Sequence, residues 1–234
     1  LQKQKVVVTE GLISLRMRSQ RHFYYQNMHN YLEATQHAAK NLIELAAGEF
    51  RMLEDLRKKF LEANSKFEHH NWDYTSTDMN DDFSEGHVRQ AFGKMAEAHR
   101  EMVRCRAAAS SLQAILDAKE HALQFISGTV LQLALQGISV VYGKTNEAPL
   151  GRKIGSQYLR DVVSAARNQA AHFDEEDLRP AVKKVFSILE SEFGDEFSIA
   201  KNPHKILAQQ VLLGIGWDDY AQYLKDMEEL LAPE

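Results

Sequence analysis

All four prolines of this 234-residue chain lie at or beyond Pro149, so the 148 residues before it carry none. Proline removes a backbone donor and clashes with the preceding helical turn, so helix can run unbroken where it is missing. Glycine is sparse there too. From about Leu12 to Leu61 the residues Tyr24, Met28, Tyr31, Thr35, Ala38, Leu42 and Leu45 step by fours and threes, and Leu53, Leu56 and Phe60 continue the stripe. Such alternation predicts the seam of a coiled-coil-like pairing. Ahead of it, Val6-Val7-Val8-Thr9 reads as an extended arm ending near Gly11. Between Asn64 and Gly86 the residues Asn, Asp, Ser and Thr dominate; each can hydrogen-bond its own backbone and compete with helix, so a loop is expected. The helical pattern resumes near His87 and extends to Tyr142, with a break expected near Ser110-Ser111. Two long helices joined by one loop predict an antiparallel hairpin.

The rest of the chain divides into shorter pieces. Beyond Gly143 to Pro149 a helix is expected from Ile154, with Ile154, Tyr158, Leu159, Val162, Val163, Ala166 and Ala170 on one broad face. Asp174 or Asp177 is expected to cap the next helix, with Pro180 in its first turn and Val182, Val185, Phe186, Leu189 and Phe193 on its buried face. Gly194 should stop it. Asn202-Pro203 is expected to start another helix, and a last one should run from about Asp218 to Leu231. No segment of any length has the period of a strand. The predicted fold class is all-α: a helical bundle with a long antiparallel hairpin ahead of the 154–172 helix. A division into 1–105 (arm and hairpin) and 106–234 (bundle) is expected.

Composition narrows the function. Hydrophobic residues at 44% and charged ones at 26% are ordinary globular values. A net charge of −5 argues against a protein coated in nucleic acid but leaves room for one local basic site. The single cysteine, Cys105, cannot form an intrachain disulfide, which points to a reducing compartment. No run approaches the ~20 apolar residues that span a membrane. No signal peptide is visible in a chain that begins at Leu1. A soluble cytoplasmic protein without membrane partners is the expectation.

The polar face of the 154–172 helix carries Gln157, Arg160, Asp161, Ser164, Arg167, Asn168 and His172. With Arg152 and Lys153 ahead of it, this segment is locally basic, Asp161 being its one acid. Arg167-Asn168-Gln169-Ala170-Ala171-His172 is an arginine, four residues, then a histidine. It resembles the R-x4–6-H signature of the HEPN superfamily, small all-helical domains common among RNA-cleaving toxins and abortive-infection proteins. The resemblance covers roughly the last 120 residues, and the long hairpin ahead of it is larger than the minimal family domain. It implies metal-independent, cofactor-free RNA cleavage in which the ribose 2′-hydroxyl attacks the adjacent phosphorus and leaves a 2′,3′-cyclic phosphate. It also implies a homodimer with two motifs facing one cleft, and an antitoxin or regulatory protein as a further partner.

The residue types suit that chemistry. A histidine titrating near ~6.5 can accept or donate a proton near neutral pH, which gives His172 its role. Arg167 stays charged and can hold nonbridging phosphate oxygens through two parallel hydrogen bonds. Asn168, four residues before His172, can orient the imidazole or bond the scissile phosphate. Arg160, Arg152 and Lys153 are candidates for neighbouring phosphates. Arg16, Arg18 and Arg21, interleaved with Phe23, Tyr24 and Tyr25, form a second candidate RNA contact. Residues five apart lie about 140° around a helix from one another. Arg167 and His172 therefore converge only if the helix ends between them or a second subunit completes the site.

Other motifs fail on spacing. Gly137 and Gly143-Lys144-Thr145 have five residues between the glycines where a phosphate loop needs four. The acidic run from Asp73 lacks the glycine and glutamate of a calcium loop. His29, Glu33 and His37 share a helical stripe that nothing closes into a coordination shell, so no metal site is expected. Two rival functions remain: a noncatalytic module binding RNA, a nucleotide or a protein, and a helical scaffold. Acids and bases mix along both long helices, which weighs against a membrane-curving scaffold.

Overall fold

The computed structural model describes residues 2–76, 85–175 and 177–233, without the side chains of residues 2–22 and of a few around the 77–84 segment. The fold is all-α. Among the described residues there are six α-helices, α1 (Gln2–Ser76), α2 (Glu85–Tyr142), α3 (Leu159–Ala171), α4 (Pro180–Phe193), α5 (Ala208–Gly214) and α6 (Tyr220–Leu231). Two short strands, β1 (Lys153–Ile154) and β2 (Gln157–Tyr158), form one antiparallel hairpin.

The long helices outrun their expected ends. α1 absorbs both Val6–Thr9 and the polar residues from Asn64 to Ser76, and α2 passes Ser110-Ser111 unbroken. β-branched and small polar residues disfavour helix by less than about 0.7 kcal/mol each, whereas each added residue of an existing helix gains a backbone bond. Without proline, nothing in these stretches is strong enough to stop propagation. The acidic run from Asp73 lies mostly outside the described residues.

Two compact units form, one from Leu1–Ala47 with Leu123–Glu234 and one from Gly48–Ala122. In the second, the later part of α1 lies against the earlier part of α2. Lys119 Nζ meets Glu49 Oε2 at 2.6 Å, and Arg57 Nη2 meets Glu120 Oε1 at 2.6 Å. Its buried seam is thin, comprising Leu53, Ala98, Ala109 and Leu116, while Met52, Leu61, Phe92 and Val103 are exposed. Two helices alone have too little facing surface to bury every apolar residue they carry.

The first unit holds the main core. There α2 buries Leu123, Val130, Leu131, Ala134 and Ile138 against the early part of α1 and the C-terminal helices. In this unit the buried residues of α1, among those described, are Ala39, Ile43 and Ala46, so the seam drifts one residue from the expected Ala38, Leu42 and Leu45, and Leu45 is exposed. From Thr35 the stripe steps by four, four and three. That 4-4-3 step lies closer to the period of an unsupercoiled helix than a strict heptad step does. Tyr31 lies over Gly137 of α2, and its hydroxyl donates to the Leu133 carbonyl at 2.5 Å. Tyr24 stacks on Tyr142 at 5.3 Å, and the Tyr142 hydroxyl donates to the carbonyl of Ala232 just after α6.

Residues 122–142 carry no charged side chain, and Phe92–Tyr142 is one described helix long and apolar enough to cross a membrane. In this fold, 39% of its most apolar window is buried inside the chain.

The connections beyond Pro149 also depart from the expected ones. α3 begins at Leu159 because residues 153–158 form the hairpin, with Gly155 at φ 57° in its two-residue turn. α4 starts at Pro180 without a side-chain cap, and Asp177 instead pairs with Lys183 at 2.5 Å. Gly194 ends α4 as expected, but Phe193 is exposed. Asn202 caps no helix: its amide donates to the carbonyls of Ser198 and Asp195, His204 takes φ 58°, and α5 begins only at Ala208. Asp219 caps α6 by accepting from the Ala221 N–H at 2.9 Å.

Candidate active site

The hairpin and α3 are pinned from several directions. The first amides of α3 are satisfied by backbone: Leu159 N–H donates to the Arg152 carbonyl at 2.9 Å and Arg160 N–H to that of Leu150 at 3.1 Å. In the hairpin turn, the Ser156 N–H donates to both carboxylate oxygens of Glu192, at 3.2 and 3.0 Å. Those bonds hold the Glu192 carboxyl below its usual value. Arg152 grips the fully buried carboxylate of Asp226 through Nε at 2.8 Å and Nη2 at 2.9 Å, and Nη2 also donates to the Ile215 carbonyl. Trp217 Nε1 and Gln222 Nε2 complete the shell of Asp226 at 2.7 and 2.9 Å. A buried charge needs such pairing to be tolerated.

Arg160 is committed as well. Its Nε donates to Asp161 Oδ1 at 3.0 Å and its Nη1 to the Ala148 carbonyl at 2.7 Å, fastening the segment ahead of the hairpin. Lys153 is exposed, with its ammonium 6.0 Å from the Tyr158 ring centre. The side chains of Arg16, Arg18 and Arg21 lie outside those described.

The motif residues occupy the last turn of α3. Arg167 is half-buried; its Nε donates to Gln132 Oε1 of α2 at 2.6 Å and its Nη1 to Asn168 Oδ1 at 3.1 Å. Asn168 therefore bonds the arginine, whereas the sequence reading offers it to the imidazole or to the scissile phosphate. Gln169 is buried and satisfied at both ends, donating to the Lys205 carbonyl at 2.7 Å and accepting from the Leu207 N–H at 2.8 Å. α3 ends at Ala171, and His172 leaves helical geometry with φ −131° and ψ 27°. Its Nδ1 lies 2.6 Å from Glu175 Oε1. A carboxylate only accepts, so Nδ1 carries the proton, and Nε2 has no partner among the described residues.

No hydrogen bond joins Arg167 to His172 among the described residues. Arg167 lines a cavity of about 200 Å³ with Phe125, Thr129 and Gln132 of α2, and His172 is not on its wall. A larger cavity of about 440 Å³ lies between α3 and α4 and shares Asn168 with the motif. The sequence reading missed Glu175 and Gln132. The three-residue step from His172 to Glu175 was a usable signal, but Gln132 lies 35 residues from Arg167 and offered none.

His37 Nε2 meets Asn41 Nδ2 at 2.9 Å. Among the described residues, no group of three or more His, Cys, Asp or Glu is placed to hold a metal ion. No family model, curated protein or solved structure matches the chain.

Proposed function

We propose that the end of α3 is the cleavage centre of a metal-independent endoribonuclease, with the RNA's own 2′-hydroxyl as nucleophile. The observation that most supports it is the His172–Glu175 pair. A carboxylate on Nδ1 fixes the ring tautomer and leaves Nε2 as the nitrogen that exchanges protons with a substrate. Arg167 supplies the fixed positive charge. Gln132 and Asn168 hold two of its nitrogens, so the guanidinium is oriented before any phosphate arrives.

In the reaction a proton leaves the 2′-oxygen, that oxygen bonds to phosphorus, and the phosphorus–O5′ bond breaks. The departing 5′-oxygen takes up a proton, leaving a 2′,3′-cyclic phosphate and a 5′-hydroxyl end. One imidazole can remove the first proton or deliver the second. Arg167 and His172 have different neighbours within one chain, so a second copy of the chain, bringing a second motif, completes the site in this reading.

The test is incubation of the protein with total RNA in excess EDTA, followed by end-group analysis. Cyclic phosphate and 5′-hydroxyl ends that disappear with His172→Ala are the expected result. An EDTA-sensitive activity, or full activity in His172→Ala, rejects the mechanism.

A further inference from the structure

We propose that the cavity between α3 and α4 receives a single unstacked nucleobase, guanine fitting best, whose edge is read by Asp161, Ser164 and Asn168. The inference rests on the cleavage reading for the identity of the chain that carries the base. Its volume of about 440 Å³ falls within the roughly 300–1,000 Å³ of small-molecule sites. Its two helical walls differ in chemistry. On α4 it is faced by Val182, Val185 and Ile188. On α3 it is faced by Asp161, Ser164 and Asn168, spaced three and four apart and hence in one line along the helix. A flat ring with apolar faces and a hydrogen-bonding edge matches this pair of walls.

The α3 groups have capacity to spare. Asp161 gives Oδ1 to Arg160, and Asn168 gives Oδ1 to Arg167. Asp161 Oδ2, Ser164 Oγ and Asn168 Nδ2 have no partner among the described residues. Together they offer an acceptor, a hydroxyl that can do either, and a donor. A carboxylate demands N–H groups, and guanine presents a ring N–H and an exocyclic amino group side by side. Uracil flanks its one N–H with two carbonyl oxygens that the carboxylate would repel. A bare anion is disfavoured for the same reason. Single-stranded bases are read on these edges when they are splayed from the strand.

Position links the cavity to the proposed chemistry. Asn168 is at once a wall of the cavity and the residue that holds Arg167 Nη1. Lys184, exposed on the opposite wall, makes no ion pair among the described residues and is available to a nucleotide phosphate.

The experiment is calorimetric titration of the full chain with guanosine 3′-monophosphate and with uridine 3′-monophosphate, using wild type, Asp161→Asn and Ala181→Trp. Ala181 is exposed on the cavity wall, so its replacement fills the space without entering the core. Expected is binding of the guanosine nucleotide to wild type about tenfold or more tighter than the uridine nucleotide. Asp161→Asn should remove that preference, losing about tenfold or more in affinity with its charged acceptor, and Ala181→Trp should abolish binding. Absence of binding, or binding unchanged in both cavity variants, overturns the base site. The expected binding pattern in a protein that leaves total RNA intact keeps the base site and ends the cleavage reading. Cleavage without base preference and insensitive to Ala181→Trp does the reverse.

Discussion

Glu175 holds Nδ1 of His172 at 2.6 Å, immediately beyond the point where α3 ends. His172 and Glu175 stand three residues apart, and His172 has already left helical geometry with φ −131° and ψ 27°. The carboxylate bond fixes the ring's tautomer, and in the proposed reaction Glu175 itself exchanges no proton with substrate.

His172→Ala should lower cleavage by roughly 10²–10⁴-fold, the usual worth of general acid–base catalysis. Glu175→Ala should lose less, since it removes orientation and leaves the proton carrier. Arg167→Lys should be nearly as damaging as alanine, because one ammonium cannot bond Gln132, Asn168 and a phosphate together. Single-turnover rates on one RNA measure all three. A Glu175→Ala loss equal to that of His172→Ala would reassign the proton carrier.

If two copies complete the site, sedimentation equilibrium should return about twice the 26.7 kDa chain mass. A strict monomer at high micromolar concentration removes the composite site.

Arg152→Ala should destabilise the protein by about 3–5 kcal/mol, the range for breaking a buried ion pair, because it strands the buried Asp226 carboxylate. Urea denaturation measures it. A variant of normal stability and weakened RNA binding would return Arg152 to the phosphate contacts.

Two helical glycines should respond oppositely to alanine. At Gly48 an added Cβ meets nothing within 4 Å, so Gly48→Ala should stabilise by about 0.5–1 kcal/mol. At Gly137 the same atom would sit 2.7 Å from Tyr31 Cε1 and 3.1 Å from Met227 Cε. Overpacking of about 1–3 kcal/mol then outweighs the helix gain, and Gly137→Ala should lower the midpoint.

Acid should weaken the fold in a defined window. Glu192 is held below its usual value by the Ser156 N–H, and Asp177 by Lys183. A carboxylate with a depressed folded pKa stabilises the native state above its unfolded value and gives that up as pH falls through the folded one. Melting temperature should therefore decline from about pH 4.5 downward, and Glu192→Gln and Asp177→Asn should each flatten part of the decline. Both groups are exposed, so each effect is small. Lys201 behaves in the opposite sense. Asp195, and secondarily Glu190, raise its pKa, so its contribution is complete below about pH 10.5 and is lost as pH rises through the folded value.

What the sequence made legible follows from the range of the forces involved. The long helices were readable because the lack of proline is a local property, and Arg167, Asn168 and His172 could be placed on α3 for the same reason. The hairpin was not readable, since two-residue strands have no period to detect. Arg152 and Arg160 looked like phosphate contacts from local charge, yet their partners are Asp226, 74 residues away, and the backbone carbonyl of Ala148. At α4 the start was legible from Pro180, but the capping role expected of Asp174 or Asp177 was not taken, since no side chain caps the helix at Arg179.

Gln169 answers the backbone of the 205–207 segment as a neighbouring strand would, offering one acceptor and one donor. It stands inside the interval between the motif's arginine and histidine, and its neighbours there are scarcely freer. Asn168 holds Arg167, and Ala170 faces Gly128, whose added Cβ would come within 3.6 Å of it. Only Ala171 is exposed. A randomised library across 168–171 should thus return folded clones that vary freely at the last position and hardly at all at Gln169 and Ala170. The spacer of this motif is as much a part of its grammar as the letters at its ends.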